Sequence, residues 1–379
     1  MQKMKLTTFF FLVLLISTIV SLSEGSAQHN ISAVFAFGDS TLDAGNNNHL
    51  STFVKANHPP YGVDFPNHVA TGRFSDGKLI TDFLVSSLGL KDFLPPYNAR
   101  NSTSVDLATG VSFASAGSGF DDLTAELSNV ETIGVQVENF KAYVEEMKEL
   151  LGEEKVKKIV QDAMFVIGAG SNDLMVNYYL IQLRSKTYTL HEYHSFLLGK
   201  LQSLIKQLYD MGARKFAVSG LPPIGCIPLQ MTLQFMQPGS DPNPTRLFHR
   251  TCIEHQNEAA VIYNAELKVA IERLQASLGS GWFRWPPRDS SMKAKIAYVD
   301  IYEPLMDMIN NPTKYGFVET TRGCCGSGLF EMGPLCNSRS LTCPSPSKFM
   351  FWDSVHPSQA TYKALADHFM RTGLAQFIN

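Results

Sequence analysis

Ala33-Val34-Phe35-Ala36-Phe37, followed directly by Gly38-Asp39-Ser40, is the stretch of this sequence that decides the fold. Its first five residues form a continuous apolar run rather than an alternating one. Such a run is typical of a β-strand that is buried on both faces, as in a parallel sheet. The residues that follow this run place Ser40 just beyond the carboxyl end of the strand, where open α/β sheets bind their ligands.

Four further apolar runs of this kind follow, at residues 110–114, 164–168, 215–218 and 296–300. Amphipathic helices are predicted between them, because residues 197–208 and 260–274 carry apolar side chains at three- and four-residue spacing. Strands that alternate with helices indicate βαβ crossovers and a parallel sheet with helices on both faces. We therefore predict an α/β fold with three α/β/α layers and a central, mostly parallel five-stranded sheet.

The composition and charge limit the possible partners. The chain has 379 residues, 44% hydrophobic and 18% charged, which excludes disorder, collagen-like repeats and coiled coil. Its formal net charge is −3 and it has no basic run, so it lacks the electrostatic footprint of a protein that binds nucleic acid. We expect a small-molecule or lipid partner.

The N-terminus has the pattern of an export signal. Lys3 and Lys5 precede an apolar run over residues 9–20, and small residues follow as far as Ala27. The run is shorter than the roughly 20 apolar residues that span a bilayer, so we predict a cleaved signal peptide over residues 1–27. No other stretch resembles an integral membrane span. The mature chain is therefore expected to be secreted and extracellular.

Glycosylation motifs and cysteines agree with export. Asn30-Ile31-Ser32 and Asn101-Ser102-Thr103 are N-glycosylation sequons. The six cysteines do not have the spacing of a zinc site, and disulfides are expected in an oxidising compartment. Local clustering suggests a Cys226–Cys252 bridge. It also suggests two bridges within the final four cysteines, which are Cys324, Cys325, Cys336 and Cys343.

Two distant segments contain candidate catalytic residues. Ser40, at its strand end, is well placed for a nucleophile whose own N–H donates to an oxyanion, although an ordinary turn or helix cap is the alternative. Leu42 disfavours the G-x-S-x-G elbow of α/β-hydrolases. Asp353 precedes His356 by three residues, and Pro357 suits a first helical position, which would make His356 the N-cap. Such a carboxylate can bind one nitrogen of the imidazole and orient the ring, while the other imidazole nitrogen takes a proton from Ser40. The alternative is a histidine that caps a helix, with Asp353 in solvent.

Four short blocks occur in a fixed order along the chain. They are Gly38-Asp39-Ser40-Thr41-Leu42, Phe113-Ala114-Ser115-Ala116-Gly117, Gly170-Ser171-Asn172-Asp173 and Asp353-Ser354-Val355-His356. With these blocks the sequence resembles the GDSL esterase/lipase family, within the SGNH hydrolase superfamily, whose four blocks contribute Ser, Gly, Asn and His. Further motifs are most similar to the plant secreted branch. They are Gly45-Asn46-Asn47-Asn48, Gly72-Arg73-Phe74-Ser75-Asp76-Gly77-Lys78, Leu221-Pro222-Pro223-Ile224-Gly225-Cys226 and Gly323-Cys324-Cys325-Gly326.

The resemblance implies a flavodoxin-like SGNH hydrolase fold and a set of site residues. Ser40 matches the nucleophile, His356 the general base and Asp353 the carboxylate that orients the histidine. The backbone N–H of Gly117 and the side-chain amide of Asn172 match the oxyanion hole, with Gly119 as an adjacent candidate glycine. No metal and no organic cofactor is implied. Because Ser40 and His356 must meet, residues 28–379 are expected to form a single hydrolase domain.

The function predicted from these residues is a secreted esterase/lipase that hydrolyses carboxylic esters through an acyl-enzyme. One alternative is an acyltransferase that gives the acyl group to a hydroxyl acceptor. The other is a catalytically silent secreted protein that binds lipid or cell wall. The pattern specifies neither the acyl chain and alcohol of the substrate nor the oligomeric state.

Overall fold

The first apolar run forms strand β1 (Val34–Gly38) in the computed structural model, which describes residues 31–99, 103–236, 250–279 and 293–378. The main sheet continues with β2 (Met164–Gly168), β3 (Lys215–Ser219) and β4 (Lys295–Val299), all parallel, in the order β1-β2-β3-β4. Phe35 lies opposite Phe165, and Phe165 lies opposite Phe216. The α/β class and the parallel sheet are therefore confirmed.

The predicted fifth strand, residues 110–114, is wrong as a strand of this sheet, which has four strands in the described chain. The segment lies beside β1 but forms only one bridge with it, between Ala36 and Ser112. The ladder is interrupted because the N–H of Gly38 donates to the side chain of Gln136 at 2.9 Å. On the outer side, Asn46 Nδ2 donates to the carbonyls of Ser112 and Ala114 and so takes the place of a neighbouring strand.

Helices cover both faces of the main sheet. In chain order they are α1 (Ile80–Ser87), α2 (Ser104–Ala108), α3 (Asp122–Ser128), α4 (Ile133–Leu151), α5 (Glu153–Asp162), α6 (Leu190–Asp210), α7 (Pro228–Phe235), α8 (Glu254–Gly279), α9 (Tyr302–Asn310), α10 (Pro312–Tyr315), α11 (Gln359–Thr372) and α12 (Ala375–Ile378). A π-helix at Asp173–Leu180 follows β2. The two predicted amphipathic helices are confirmed, since residues 197–208 lie in α6 and residues 260–274 lie in α8.

The two faces of the sheet are packed differently. Large side chains, including Phe35, Phe37, Phe165 and Phe216, join the apolar sides of α4, α5, α6 and α8 in the larger core. On the other face small side chains such as Ala36, Ala217 and Ala297 pack toward α1 and α11. The alternation along each strand separates the two cores because successive side chains point to opposite faces. The result is the predicted three-layer arrangement.

A second, two-stranded parallel sheet pairs β5 (Glu319–Gly323) with β6 (Phe349–Phe351), directly before the Asp353–His356 segment. Residues Ile31–Phe377 form one compact unit. Three disulfides are present, Cys226–Cys252, Cys324–Cys343 and Cys325–Cys336, in agreement with the expected pairing. Within the described ranges no helix has the length and apolarity needed to cross a bilayer.

Candidate active site

The turn that follows β1 exposes Ser40 to a cavity at the carboxyl edge of the sheet. Gly38 has φ +142°, and a Cβ there would lie 1.9 Å from the carbonyl oxygen of Gly168, so no other residue fits. Asp39 N–H donates to that same carbonyl. The carboxylate of Asp39 then accepts from the backbone N–H and hydroxyl of Thr41, which closes the turn around Ser40. Burial raises the pKa of Asp39.

Ser40, His356 and Asp353 form a continuous hydrogen-bonded chain. His356 Nε2 lies 2.9 Å from Ser40 Oγ, and His356 Nδ1 lies 2.8 Å from Asp353 Oδ2. All three residues are buried, with Ser40 7% and His356 5% exposed. Ser40 and His356, which lie 316 positions apart in the sequence, are thus in contact.

The backbone around Asp353 fixes this geometry locally. Asp353 Oδ1 accepts from the N–H groups of Val355 and His356, at 2.8 and 2.7 Å. This turn holds the histidine three residues beyond its carboxylate. The expectation that His356 caps a helix is wrong: α11 begins at Gln359, and Ser358 is the N-cap, its hydroxyl accepting from Thr361 N. Because His356 N–H is already bonded to Asp353, it belongs to the turn rather than to the helix.

Two aromatic residues to which the sequence assigned no role complete the surroundings of the histidine. Tyr61 is fully buried, and its hydroxyl donates to Asp353 Oδ2 at 2.7 Å while accepting from Gly333 N at 2.7 Å. Burial and the nearby Asp353 charge raise the pKa of Tyr61 well above its ordinary value. Phe74 packs against the imidazole of His356 with 4.5 Å between ring centroids. Tyr61 and Phe74 therefore limit the movement of the His356 and Asp353 side chains.

The glycine-arginine block around Phe74 is anchored on both sides. Arg73 binds Asp82 through two hydrogen bonds of 2.7 and 2.8 Å in the interior, and it also donates to the carbonyls of Ala44 and Leu94. Asp76 accepts from Gln359 N at 2.7 Å, which ties the block to the start of α11. The family-like block at residues 72–78 was visible in the sequence, but its place beside His356 was not.

The two candidate oxyanion donors, Asn172 and Gly117, are placed differently relative to Ser40. Asn172 lines the same cavity as Ser40, and its Nδ2 donates to Ser118 O at 2.9 Å, which occupies one of its two amide hydrogens. Gly117 directly precedes Ser118 and has φ +88° but does not line the cavity. In the described part of the chain the N–H groups of Ser40 and Gly117 have no hydrogen-bond acceptor. The alternative glycine, Gly119, packs against the Asp173 carboxylate.

Two buried carboxylates organise the loops that carry these donors. Asp43 accepts from the N–H groups of Gly45, Asn46 and Ala116, and burial raises its pKa to about 6. Asp173, next to Asn172, accepts from Phe120 N and Thr124 Oγ1. Burial raises its pKa to about 7. The carboxylates of Asp43 and Asp173 thus join the loop after Ser40, the segment around Gly117 and the segment that contains Asn172.

The cavity beside Ser40 has a volume of about 130 Å³. Its lining includes Ser40, His356 and Asn172, and is otherwise mostly apolar. Within the described residues no group of three or more His, Cys, Asp or Glu side chains is arranged to hold a metal ion. The predicted signal peptide at residues 1–27 and both sequon asparagines, Asn30 and Asn101, lie outside the described residues.

Known proteins with similar sequences define the class. The model of the GDSL-like lipase/acylhydrolase family matches residues 34–369. GDSL esterase/lipase At2g40250 of Arabidopsis thaliana is 46% identical over 96% of this chain and 96% of its own length. GDSL esterase/lipase At1g58430 of the same plant is 40% identical over 95% of this chain and 94% of its own length. A lipase structure from a goat rumen metagenome aligns over 90% of this chain and 97% of its own, at 13% identity and TM-score 0.35.

The parallel sheet and the sequence matches define an α/β protein of a class of hydrolases that act on ester bonds. The chain belongs to the GDSL lipase/acylhydrolase family, as the sequence blocks indicated.

Proposed function

We propose that this protein is a secreted serine esterase that hydrolyses carboxylic esters through an acyl-enzyme. Ser40 is the nucleophile, His356 the general base and Asp353 the carboxylate that orients the imidazole. The observation that carries the proposal is the pair of hydrogen bonds through which His356 Nε2 meets Ser40 Oγ and Nδ1 meets Asp353. A nucleophile, a base and an orienting group in this arrangement are the requirement for acyl transfer.

The reaction follows from these positions. His356 takes the hydroxyl proton as Ser40 Oγ attacks the ester carbonyl, and the carbonyl oxygen becomes an oxyanion. The N–H groups of Ser40 and Gly117 and the side-chain amide of Asn172 are proposed to donate to it, each contributing roughly 3–4 kcal/mol to the transition state. His356 then protonates the leaving alcohol, and a water molecule releases the acid from Ser40 by the same steps.

Export is part of the proposal. All six cysteines of the chain are paired in three disulfides, which persist in oxidising compartments and are rare in the cytosol. We expect the purified, naturally exported protein to begin at Gln28 and to carry glycans at Asn30 and Asn101. N-terminal sequencing and mass spectrometry before and after glycosidase treatment would test both expectations.

A fluorophosphonate probe tests the nucleophile. Wild-type protein should be labelled at Ser40, and Ser40→Ala should abolish labelling and lower kcat on a soluble ester by about 10⁴–10⁶. Ser203→Ala, on the exposed side of α6, is the matched control and should label like wild type. Labelling that persists in folded Ser40→Ala would remove Ser40 from the mechanism.

Product analysis separates hydrolysis from transfer to an alcohol. Incubation with an acyl donor, with and without an added alcohol, should yield the free acid in both cases. A product that is mainly the new ester would instead define an acyltransferase. Failure of folded wild-type protein to label or to cleave any ester would favour a silent binding protein.

A further inference from the structure

The cavity at Ser40 continues into the interior of the protein, away from the strand ends. Its deeper lining is apolar and comes from both the sheet and the helices that cover it. The residues of this deep part are Leu84, Val166, Ala217, Val299, Ala366 and Phe369. This deep part therefore lies between the sheet and the covering helices α1 and α11, on the side of the smaller core.

Space exists on this face because its side chains are small. Along β3 Ala217 lines the cavity, as does Ser219 at the strand end, whereas Phe216 points to the opposite face and fills the larger core. The same alternation along β2 places Val166 toward the cavity and Phe165 away from it. An interior face with such small side chains leaves a channel that the covering helices do not fill.

Helix α11 gives the direction and depth of the channel. It begins three residues after His356 and contributes Tyr362, Ala366 and Phe369 to the lining. At a rise of about 1.5 Å per residue, the seven steps along the helix from Tyr362 to Phe369 span roughly 10 Å. Leu84, Ala366 and Phe369 are 4%, 2% and 4% exposed, so the far end is closed by buried side chains.

Two hydroxyl-bearing residues also line the cavity. Thr81 Oγ1 and the Tyr362 hydroxyl are buried without a hydrogen-bond partner among the described residues. Because these oxygens are buried rather than exposed to the cavity, they add little polar surface, and the lining is mainly apolar.

We propose that this channel holds the acyl chain of the ester substrate, and that the enzyme prefers linear, medium-length acyl groups. The inference rests on the proposed acyl-enzyme. An alkyl chain is the chemical complement of the apolar lining. The acyl part rather than the alcohol fits a closed channel, because the acyl group stays on Ser40 after the first step. An alcohol trapped behind it would have no exit.

The expected size of the effect follows from the burial of methylene groups. Each buried methylene contributes about 0.8 kcal/mol, which is about fourfold in kcat/KM. Wild-type enzyme should therefore prefer p-nitrophenyl octanoate over p-nitrophenyl acetate by at least about tenfold. Ethyl and octyl acetate, which vary the alcohol instead, should differ much less.

Ala366→Phe tests the channel by filling it halfway along α11. The octanoate-to-acetate ratio of kcat/KM should fall about tenfold or more. Ala364→Phe is the matched control on the same helix, since Ala364 is half-buried against another cluster and does not line the cavity. A folded Ala366→Phe protein with the wild-type ratio would overturn the proposal. The proposal would also be overturned if Ala366→Phe changed only the ratio of kcat/KM for octyl acetate to that for ethyl acetate. If Ala366→Phe does not fold, Ala217→Val makes the same test from the sheet.

A binding measurement separates this inference from the proposed chemistry. Decanoate should raise the melting temperature of Ser40→Ala protein and should not do so when Ala366→Phe is added. Absence of any shift in Ser40→Ala protein would overturn the channel even if esters are cleaved. A shift in a protein that cleaves no ester would keep the channel as a fatty-acid site and refute the esterase.

Discussion

Removal of one hydroxyl group should change the pH dependence of the enzyme. Tyr61→Phe deletes the donor to Asp353 Oδ2 and the acceptor of Gly333 N, both at 2.7 Å. The ring itself stays in place between Phe74 and Trp352, with which it makes edge contacts. The substitution therefore isolates the hydroxyl, and the packing around the site is retained.

The magnitude follows from the two lost bonds. A buried N–H left without an acceptor at Gly333 costs about 1–3 kcal/mol of stability. At Asp353 the carboxylate loses a neutral donor that stabilises its charge, so the charged imidazolium beside it becomes relatively more favourable. In the proposed mechanism only a neutral His356 can accept the Ser40 proton. The acid limb of kcat/KM should therefore move to higher pH in Tyr61→Phe.

The assay is the pH profile of kcat/KM on a soluble short-chain ester, together with urea unfolding. Tyr263→Phe on α8 is the matched control, because Tyr263 is fully buried and its hydroxyl has no partner within the described chain. It should be as stable as wild type and keep its profile. If Tyr61→Phe and Tyr263→Phe show the same acid limb, the reasoning about Asp353 is refuted.

Three further outcomes are expected. Asn172→Ala should lower kcat by roughly 10²–10³ with little change in KM, because an oxyanion donor acts mainly in the transition state; a rise in KM alone would make it a substrate-binding residue. The pKa of Asp173 is raised by burial to about 7, so the folded state binds its proton more tightly. Its contribution to stability is then present at low pH and lost as pH rises toward 7. Asp173→Asn should remove that decline, which lies between about pH 4 and pH 7, in urea unfolding, and an unchanged slope would contradict it. Arg73→Met should lower stability in urea unfolding by about 3–5 kcal/mol, because it leaves the buried Asp82 carboxylate without its counter-charge, and a loss below about 1 kcal/mol would contradict this.

The strands and the chemistry-bearing blocks were accessible from the sequence because they depend on local patterns. Continuous apolar runs predicted four strands of the main sheet at nearly their observed bounds. The run at 110–114 has the same composition but does not form a ladder. Whether it pairs as a strand depends on two distant side chains: Gln136 binds the N–H of Gly38 in β1, and Asn46 binds the outer edge of the segment. No local pattern contains that information.

The surroundings of the histidine show the same limit. Asp353 and His356 are three residues apart, so their contact is local and could be predicted. Tyr61 reaches Asp353 across 292 residues, and nothing in the sequence around it differs from an ordinary turn. The channel was also hidden, because small residues at alternate strand positions leave a space only when the covering helices are in place.

The bond between Ser40 and His356 closes a loop of 316 residues, nearly the whole chain. During synthesis Ser40 is made 316 residues before His356, so for most of that time the proposed nucleophile exists without its proposed base. On the proposed mechanism, a product that stops before residue 356 is inactive whatever part of it has folded. Ester cleavage would then report only those chains that extend at least to residue 356.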